Sequence, residues 1–357
     1  MMARRDFRRI LLIRRKALGD ALVTLPAVLE VARAWPRARI DLVIDRPFAP
    51  LLAGLAPEVR ILPWPLPAGE SWLRRLRREN YDLVIDWLGN PRTALWTILS
   101  GAPVRVGYDL PRRRWAYNVK VPRNRAGGRA LRGFAGEAFL DPLRALGVET
   151  LPWRDGFAAA AMDGHAAGEM RPELAAWADA WRARPGVPTA VVMSATWAAK
   201  QWPVRHVGDL LRALPGCGAN PVLIAGPGDE WLVEGLGHLP VGLLAPPTTL
   251  PELAFLLSRA ALFVGTDCGP RHLAAALGRP TVTIFGPTDP GGWNPPTPRH
   301  VSVRNPVPCA PCDLTECPVP GHPCLDDLDS GTVIASVERM LARLGRSPQK
   351  EIARDNP

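Results

Sequence analysis

Short apolar runs recur along this chain, and nearly every one is followed by a stretch of helical period before the next begins. Residues 9–13, 40–44, 60–62, 82–86 and 104–106 read as strands in the first half. Residues 189–193, 222–225, 241–244, 261–264 and 281–285 repeat the pattern in the second. Helical stretches lie between them at 18–35, 51–55, 71–79, 93–99, 134–146, 164–182, 206–214, 229–237 and 251–258, while 108–133 is polar, basic and poorly periodic and reads as a loop. Continuous apolar strands joined by helices belong to parallel sheets covered on both faces, so the fold class is α/β. The expected architecture is two Rossmann-like, doubly wound domains facing a cleft. At 357 residues and 47% apolar composition the chain can build two such cores. A Pro/Ala-rich zone at 151–188 supplies the boundary, which we place at 165/166, with the second domain running to 331, a helix at 332–346 and a tail at 347–357. Neither domain carries G-x-G-x-x-G after its first strand, so a dinucleotide site is not indicated.

Charge separates the halves. Residues 1–150 hold 27 Lys+Arg against 14 Asp+Glu, whereas residues 151–357 hold 17 against 20. Such a field in the first half favours an anionic partner or a solvated basic surface. Arginine outnumbers lysine 40 to four, so generic positive charge is written as Arg here. Lys200, in SATWAAKQWP after a strand, is therefore a candidate for a role that needs a compact ammonium, such as a phosphate contact. The run at residues 10–13 is too short for a signal peptide, and no run of 18 or so apolar residues exists to cross a membrane. Six cysteines without a secretion signal point to the cytoplasm.

The stretch at 265–290, GTDCGPRHLAAALGRPTVTIFGPTDP, carries the densest chemistry. A strand leads into a tight turn with Asp267, Gly269 and Pro270, then a helix with His272 in its first turn, a second strand and a Gly-Pro turn. A glycine and an early proline suit a helix N-terminus whose amides lie close to an anion, which points to phosphate. An ordinary strand-turn-helix with a satisfied surface histidine is the other reading.

Paired with RRKALGDALVTLPAVLEVARAWP near the start, this stretch resembles glycosyltransferase family 9, the ADP-heptose:lipopolysaccharide heptosyltransferases. The resemblance spans residues 9–340 and is weaker at 110–189. It implies the GT-B fold, with the acceptor on the first domain and the nucleotide sugar on the second, and inverting transfer of heptose from ADP-heptose to an acidic lipopolysaccharide core or lipid A acceptor. By position it implies Asp20 of Leu18-Gly19-Asp20 as the catalytic base, although capping of the following helix is the commoner role for such a residue. It implies Thr196 and Lys200 as donor-phosphate contacts, Gly226 and Glu230 near the ribose, and Asp267, Cys268, Gly269, Pro270 and His272 as the turn whose amides meet the phosphates. Cys268 stands where the family has Thr, and Ser194-Ala195 where many members have a His-containing segment. Arg14, Arg112, Arg113 and Arg114 are the arginines suggested for acidic groups of the acceptor, such as Kdo carboxylates or lipid A phosphates. The helix at 332–346 is implied to pack back on the first domain. No cofactor is required beyond the substrate nucleotide sugar. The expectation is a cytoplasmic monomer in peripheral contact with the inner face of the cell membrane, without a nucleic-acid partner.

The cysteines of CAPCDLTECPVPGHPC, Cys309, Cys312, Cys317 and Cys324, begin with C-x-x-C, compatible with structural zinc, but the second pair lacks that spacing. Reduced thiols packed under a loop are the other reading, and no metal is assigned. Asp327-Leu-Asp329 lies beside a helix start and reads as capping. A GT-B transferase using another nucleotide sugar, or an epimerase of that fold, is the close alternative. A basic nucleic-acid-binding protein, suggested by a pI near 9.9, is the distant one, and it lacks interleaved aromatics and a recognisable motif.

Overall fold

The computed structural model describes residues 6–123, 133–159, 170–193 and 195–346. The chain divides into two units, Met1–His165 with Gly291–Pro295, and Ala166–Pro290 with Pro296–Pro357.

The first unit is built on β1 (Arg9–Ile13), β2 (Arg39–Asp45), β3 (Arg60–Trp64), β4 (Leu83–Asp86), β5 (Val104–Tyr108) and β6 (Val119–Val121). All pair parallel, in the order β3-β2-β1-β4-β5-β6, with Leu12 opposite Leu42 and Ile13 opposite Asp86. That is the order of a doubly wound dinucleotide-type sheet. Ile10, Leu11, Leu12 and Ile13 are fully inaccessible, as a central strand covered on both faces requires. β6 falls inside the stretch read from sequence as loop. It is three residues long and exposes Lys120, so as an edge strand it has no apolar run to betray it. The single helix expected at 134–146 is instead two short turns, Ala135–Ala138 and Asp141–Arg144, because Pro142 cannot continue a helix and starts the second one. Several arginines of this basic unit are already paired. Arg60 donates twice to the buried Asp41, at 2.7 and 2.6 Å, and Arg15 to Asp45 at 2.8 Å.

In the second unit β7 (Val187–Val192), β8 (Ala219–Leu223), β9 (Leu262–Thr266), β10 (Thr281–Ile284) and β11 (His300–Val303) pair parallel in the order β11-β10-β9-β7-β8. The strand expected at 241–244 shrinks to one parallel bridge between Leu223 and Leu244. Val241 lies fully in solvent and Gly242 has φ of 78°, so only the end of that run reaches the sheet edge. Counting this bridge as the outer strand, the second sheet has the same order as the first.

The terminal helix Ser330–Arg346 buries Val333, Val337, Met340 and Leu341, one stripe at helical spacing. That stripe lies in a core with Val207, Leu211 and Leu214, so the helix is part of the second unit. Its apolar stripe is taken up by side chains of its own unit. Asp329 accepts the Thr332 N–H at 3.0 Å and its hydroxyl at 2.8 Å, a capping role.

Gly265 lies opposite Val192 where β9 pairs with β7. A Cβ there would stand 2.1 Å from the Val192 carbonyl oxygen, a backbone atom that cannot swing aside. We expect Gly265→Ala to destabilise the protein by about 3 kcal/mol or more, read as a lowered urea midpoint, and an unchanged midpoint would refute this packing.

Candidate active site

In open parallel sheets, ligands bind beyond the carboxyl ends of the strands where the strand order reverses, because successive crossovers leave to opposite faces there. The reversal falls between β1 and β4 in the first unit and between β7 and β9 in the second. Asp20 lies just beyond the first of these points, and Lys200 and Asp267 just beyond the second.

Beyond β1, Arg14 is buried, donates to the Trp87 carbonyl at 3.0 Å and lies over the Phe139 ring at 4.9 Å. Its other terminal nitrogen is ion-paired with Asp20. Asp20 is the third residue of the helix Leu18–Ala34 rather than its N-cap, which is Ala17. Its second carboxylate oxygen accepts the Ala17 N–H at 3.2 Å. Asp20 therefore both caps and pairs, while 29% of its side chain remains exposed. Beyond β4, the fully buried Asp86 accepts from the Leu88 and Gly89 amides at 2.9 Å each and from the Tyr117 hydroxyl at 2.8 Å. Burial pushes its carboxyl above the ordinary range in spite of these bonds. The Tyr117 bond ties the neighbouring turn, Arg112 to Ala116, to the end of β4. Within that turn Arg114 pairs with Asp109 at 2.9 Å, and Trp115, 56% exposed, donates to the Arg112 carbonyl at 2.9 Å. Arg125, Arg129 and Arg132 lie outside the described residues.

Beyond β9 the chain turns into the helix Gly269–Ala276, with Cys268 as N-cap and Pro270 in the first turn. Asp267 is the hub of this turn. Its Oδ2 accepts from Lys200 Nζ at 2.7 Å and from the Thr288 hydroxyl at 2.8 Å, and its Oδ1 from Arg271 at 2.8 Å. Lys200 Nζ also reaches the Asp267 carbonyl at 3.2 Å and stands over the Trp197 ring at 4.6 Å. Burial alone would raise the Asp267 carboxyl, but Lys200 and Arg271 outweigh it and hold it well below the carboxylate range. His272 is buried, with Nε2 3.2 Å from an Arg271 nitrogen. A guanidinium only donates, so this Nε2 accepts and the proton is on Nδ1. Burial first and Arg271 second push His272 well below its ordinary pKa, so the ring is neutral near pH 7. Burial pushes the Cys268 thiol up to about 11, which keeps it protonated. Arg271 is wholly inaccessible and cancels the Asp267 charge, whereas Lys200 is 15% exposed. The cluster thus carries one net positive charge, presented by Lys200 beside a helix N-terminus, which suits an anion.

The remaining sequence expectations fall around this centre. Thr196 is exposed two residues before the turn Ala198–Lys200, and Ser194 lies outside the described residues. Gly226 and Glu230 share a turn, but the buried carboxylate that closes it is Asp229, which accepts the Gly226 N–H at 2.7 Å. Glu230 is exposed and accepts the Gly228 N–H at 3.2 Å. Arg271, Thr288 and Trp197 were missed in the sequence reading. Thr288 stands in the Gly-Pro-Thr-Asp-Pro turn that was read only as a turn, and Arg271 could have been found from its i, i+4 spacing to Asp267. Among the described residues no three His, Cys, Asp or Glu side chains form a metal-binding set. Cys309, Cys312, Cys317 and Cys324 line one small apolar pocket with Pro287, Ala199 and His322. Burial, followed by the neighbouring thiols, pushes Cys324 up to about 11.

The profile of "Glycosyltransferase family 9 (heptosyltransferase)" matches residues 70–322. The chain belongs to glycosyltransferase family 9. It is 30% identical over 329 residues to lipopolysaccharide heptosyltransferase 1 of Pseudomonas aeruginosa, covering 87% of each chain. Among solved structures it is similar to E. coli ADP-heptose lipopolysaccharide heptosyltransferase II, with TM-score 0.70, 21% identity and 94% and 99% of the two chains covered. It is also similar to E. coli heptosyltransferase WaaC with ADP, with TM-score 0.68, 24% identity and 93% and 97% covered. The two doubly wound units of this transferase are thus those of the GT-B fold.

The charges of the second-unit cluster set a pH dependence. His272 has a folded pKa below its unfolded value near 6.5, so the unfolded chain takes up a proton first and stability falls as pH drops below that value. Asp267, whose folded pKa is also lowered, contributes stability that is full above its unfolded value near 4 and is lost progressively as the pH falls below that value. We expect the loss of stability between pH 7 and 5, measured by urea unfolding, to be shallower in His272→Gln. We expect Asp267→Asn to cost about 3 kcal/mol at pH 7, because it removes the buried carboxylate that Arg271 and Lys200 share, and equal midpoints of the two proteins would refute this.

Proposed function

We propose that this transferase moves heptose from ADP-heptose to an acidic lipopolysaccharide core or lipid A acceptor with inversion at the anomeric carbon. The observation that carries the donor assignment is the Asp267 cluster, which presents a single accessible ammonium, Lys200, beside the N-terminus of the helix Gly269–Ala276. The names of the relatives, and the ADP bound in a similar solved structure, support the same reading. As the glycosidic bond to the diphosphate breaks, negative charge grows on the departing ADP. Lys200 and the amides after Cys268 stabilise that charge more in the transition state than in the ground state, which is what accelerates the step. Gly226 and Glu230 belong to the ribose end of the donor, and Thr196 to its phosphates.

Asp20 is the proposed general base. It takes the proton of the acceptor hydroxyl as the oxygen attacks C1 of the sugar, and Arg14 orients the carboxylate for that step. Arg112, Arg113 and Arg114 are assigned to acidic groups of the acceptor. Their turn exposes Trp115, a residue suited to a membrane interface, in the unit that carries the excess of positive charge. No described helix is long and apolar enough to cross a membrane, so we assign peripheral contact with an anionic membrane surface.

ADP in excess should raise the melting temperature, by a gain of about 2.7 kcal/mol at 100 times its Kd. UDP, GDP and dTDP should do less, and Lys200→Ala should weaken the ADP effect. Stabilisation by another nucleotide alone would replace the donor, and stabilisation by none would overturn the reading. Asp20→Asn should lower kcat by about 100-fold or more at unchanged ADP affinity. Near-normal turnover by that folded variant would place the base elsewhere. Sedimentation with vesicles should show binding to anionic but not to neutral lipid, weakened by Trp115→Ala.

A further inference from the structure

Lys200 sits at the end of a single turn, Ala198–Lys200, with no strand or long helix to hold it. The turn is fixed at Ala199, which is 2% exposed, and one loop takes both of its backbone groups. The Ala199 N–H donates to the Thr315 carbonyl at 3.1 Å. The Ala199 carbonyl meets His322 Nε2 at 3.0 Å. A carbonyl only accepts, so Nε2 carries a hydrogen and the imidazole donates. The same loop reaches the turn of Thr288, since the Asp313 N–H donates to the Pro287 carbonyl at 2.8 Å. Residues 313–322 therefore brace both turns whose side chains, Lys200 and Thr288, donate to Asp267 Oδ2. His322 is itself anchored, because its carbonyl accepts the Leu325 and Asp326 amides at 3.0 and 2.9 Å at the start of the helix Pro323–Asp326.

We infer that His322 is a positioning residue for Lys200: its bond to the Ala199 carbonyl sets where the ammonium stands when a nucleotide diphosphate binds. The inference rests on the donor reading above. A charge placed to bind and stabilise diphosphate loses much of its effect when it shifts by about 1 Å, and among the described residues this imidazole is a side-chain donor to the backbone of the turn. The histidine does not touch the donor and acts only through the turn.

The test is ADP affinity by titration calorimetry for wild type, His322→Gln, His322→Asn and Lys200→Ala, and for His322→Asn combined with Lys200→Ala, each checked for folding by its urea midpoint. Glutamine places an amide N–H near the position of Nε2, whereas asparagine is too short to reach. We expect His322→Asn to weaken ADP binding by roughly 3- to 10-fold, the worth of one hydrogen bond, and His322→Gln to stay within about twofold of wild type. In the Lys200→Ala background, His322→Asn should add nothing, because the group it positions is gone. If His322→Asn binds ADP like wild type while Lys200→Ala is weakened, the positioning role is refuted and the donor reading stands. A full His322→Asn effect persisting without Lys200 also refutes it. Wild-type ADP affinity in Lys200→Ala would instead refute the donor reading itself. If His322→Asn does not fold, the comparison of His322→Gln with His322→Ala carries the test, and equal weakening of both refutes the role.

Discussion

A carboxylate with almost no access to water organises the carboxyl edge of the second unit's sheet. Asp267 follows β9 in a place where its charge would be costly alone, and it persists because an ammonium, a guanidinium and a hydroxyl all converge on it. These partners come from three separate segments, the turn after β7, the helix after β9 and the turn after β10. One buried charge thereby draws the ends of three neighbouring strands into a fixed relation. The arrangement is also asymmetric. Arg271 is sealed in and neutralises the carboxylate, while Lys200 keeps a path to solvent. A site for an anion needs such asymmetry, since a fully neutralised cluster would have no field to offer.

The first unit uses the same topology with the opposite charge exposed. At its reversal point the buried group is the cation, Arg14, and the group with access is the carboxylate, Asp20. A carboxylate paired on one side and partly open to solvent on the other has the geometry proposed for proton abstraction, as a part-exposed ammonium has that proposed for a departing diphosphate. Each unit thus carries the chemical part that the other lacks. Asp86, buried beside Arg14's partner Trp87, has its hydrogen-bonding capacity taken up by the loop after β4 and by Tyr117, and serves the shape of that loop.

The central strands, both sheets and the helix N-terminus after Cys268 were legible because each is written in local periodicity. β1 and β9 are apolar runs that only a parallel sheet can bury, and the glycine and proline at 269–270 mark a helix start at any position in a chain. Short edge elements were not legible. β6 and the bridge at Leu244 pair on one side only, so they need no apolar run, and their existence depends on the neighbour they find. The terminal helix showed its amphipathic stripe in the sequence, but the partner of that stripe did not show. Its face is complemented by Val207 and Leu211, more than a hundred residues away.

By itself the sequence determined two α/β units, a strand-turn-helix at Asp267–His272, the separateness of Lys200 among forty arginines, and the pairing of motifs that marks the family. Those properties rest on residue type and spacing within one segment, which the linear text contains. Only the tertiary structure decided that Asp267 is the shared acceptor of Lys200, Arg271 and Thr288, that His272 is neutral against Arg271, and that His322 holds the turn of Lys200. These depend on burial and on contacts between residues 67 and 123 positions apart, and desolvation has no value until the chain has closed around the group.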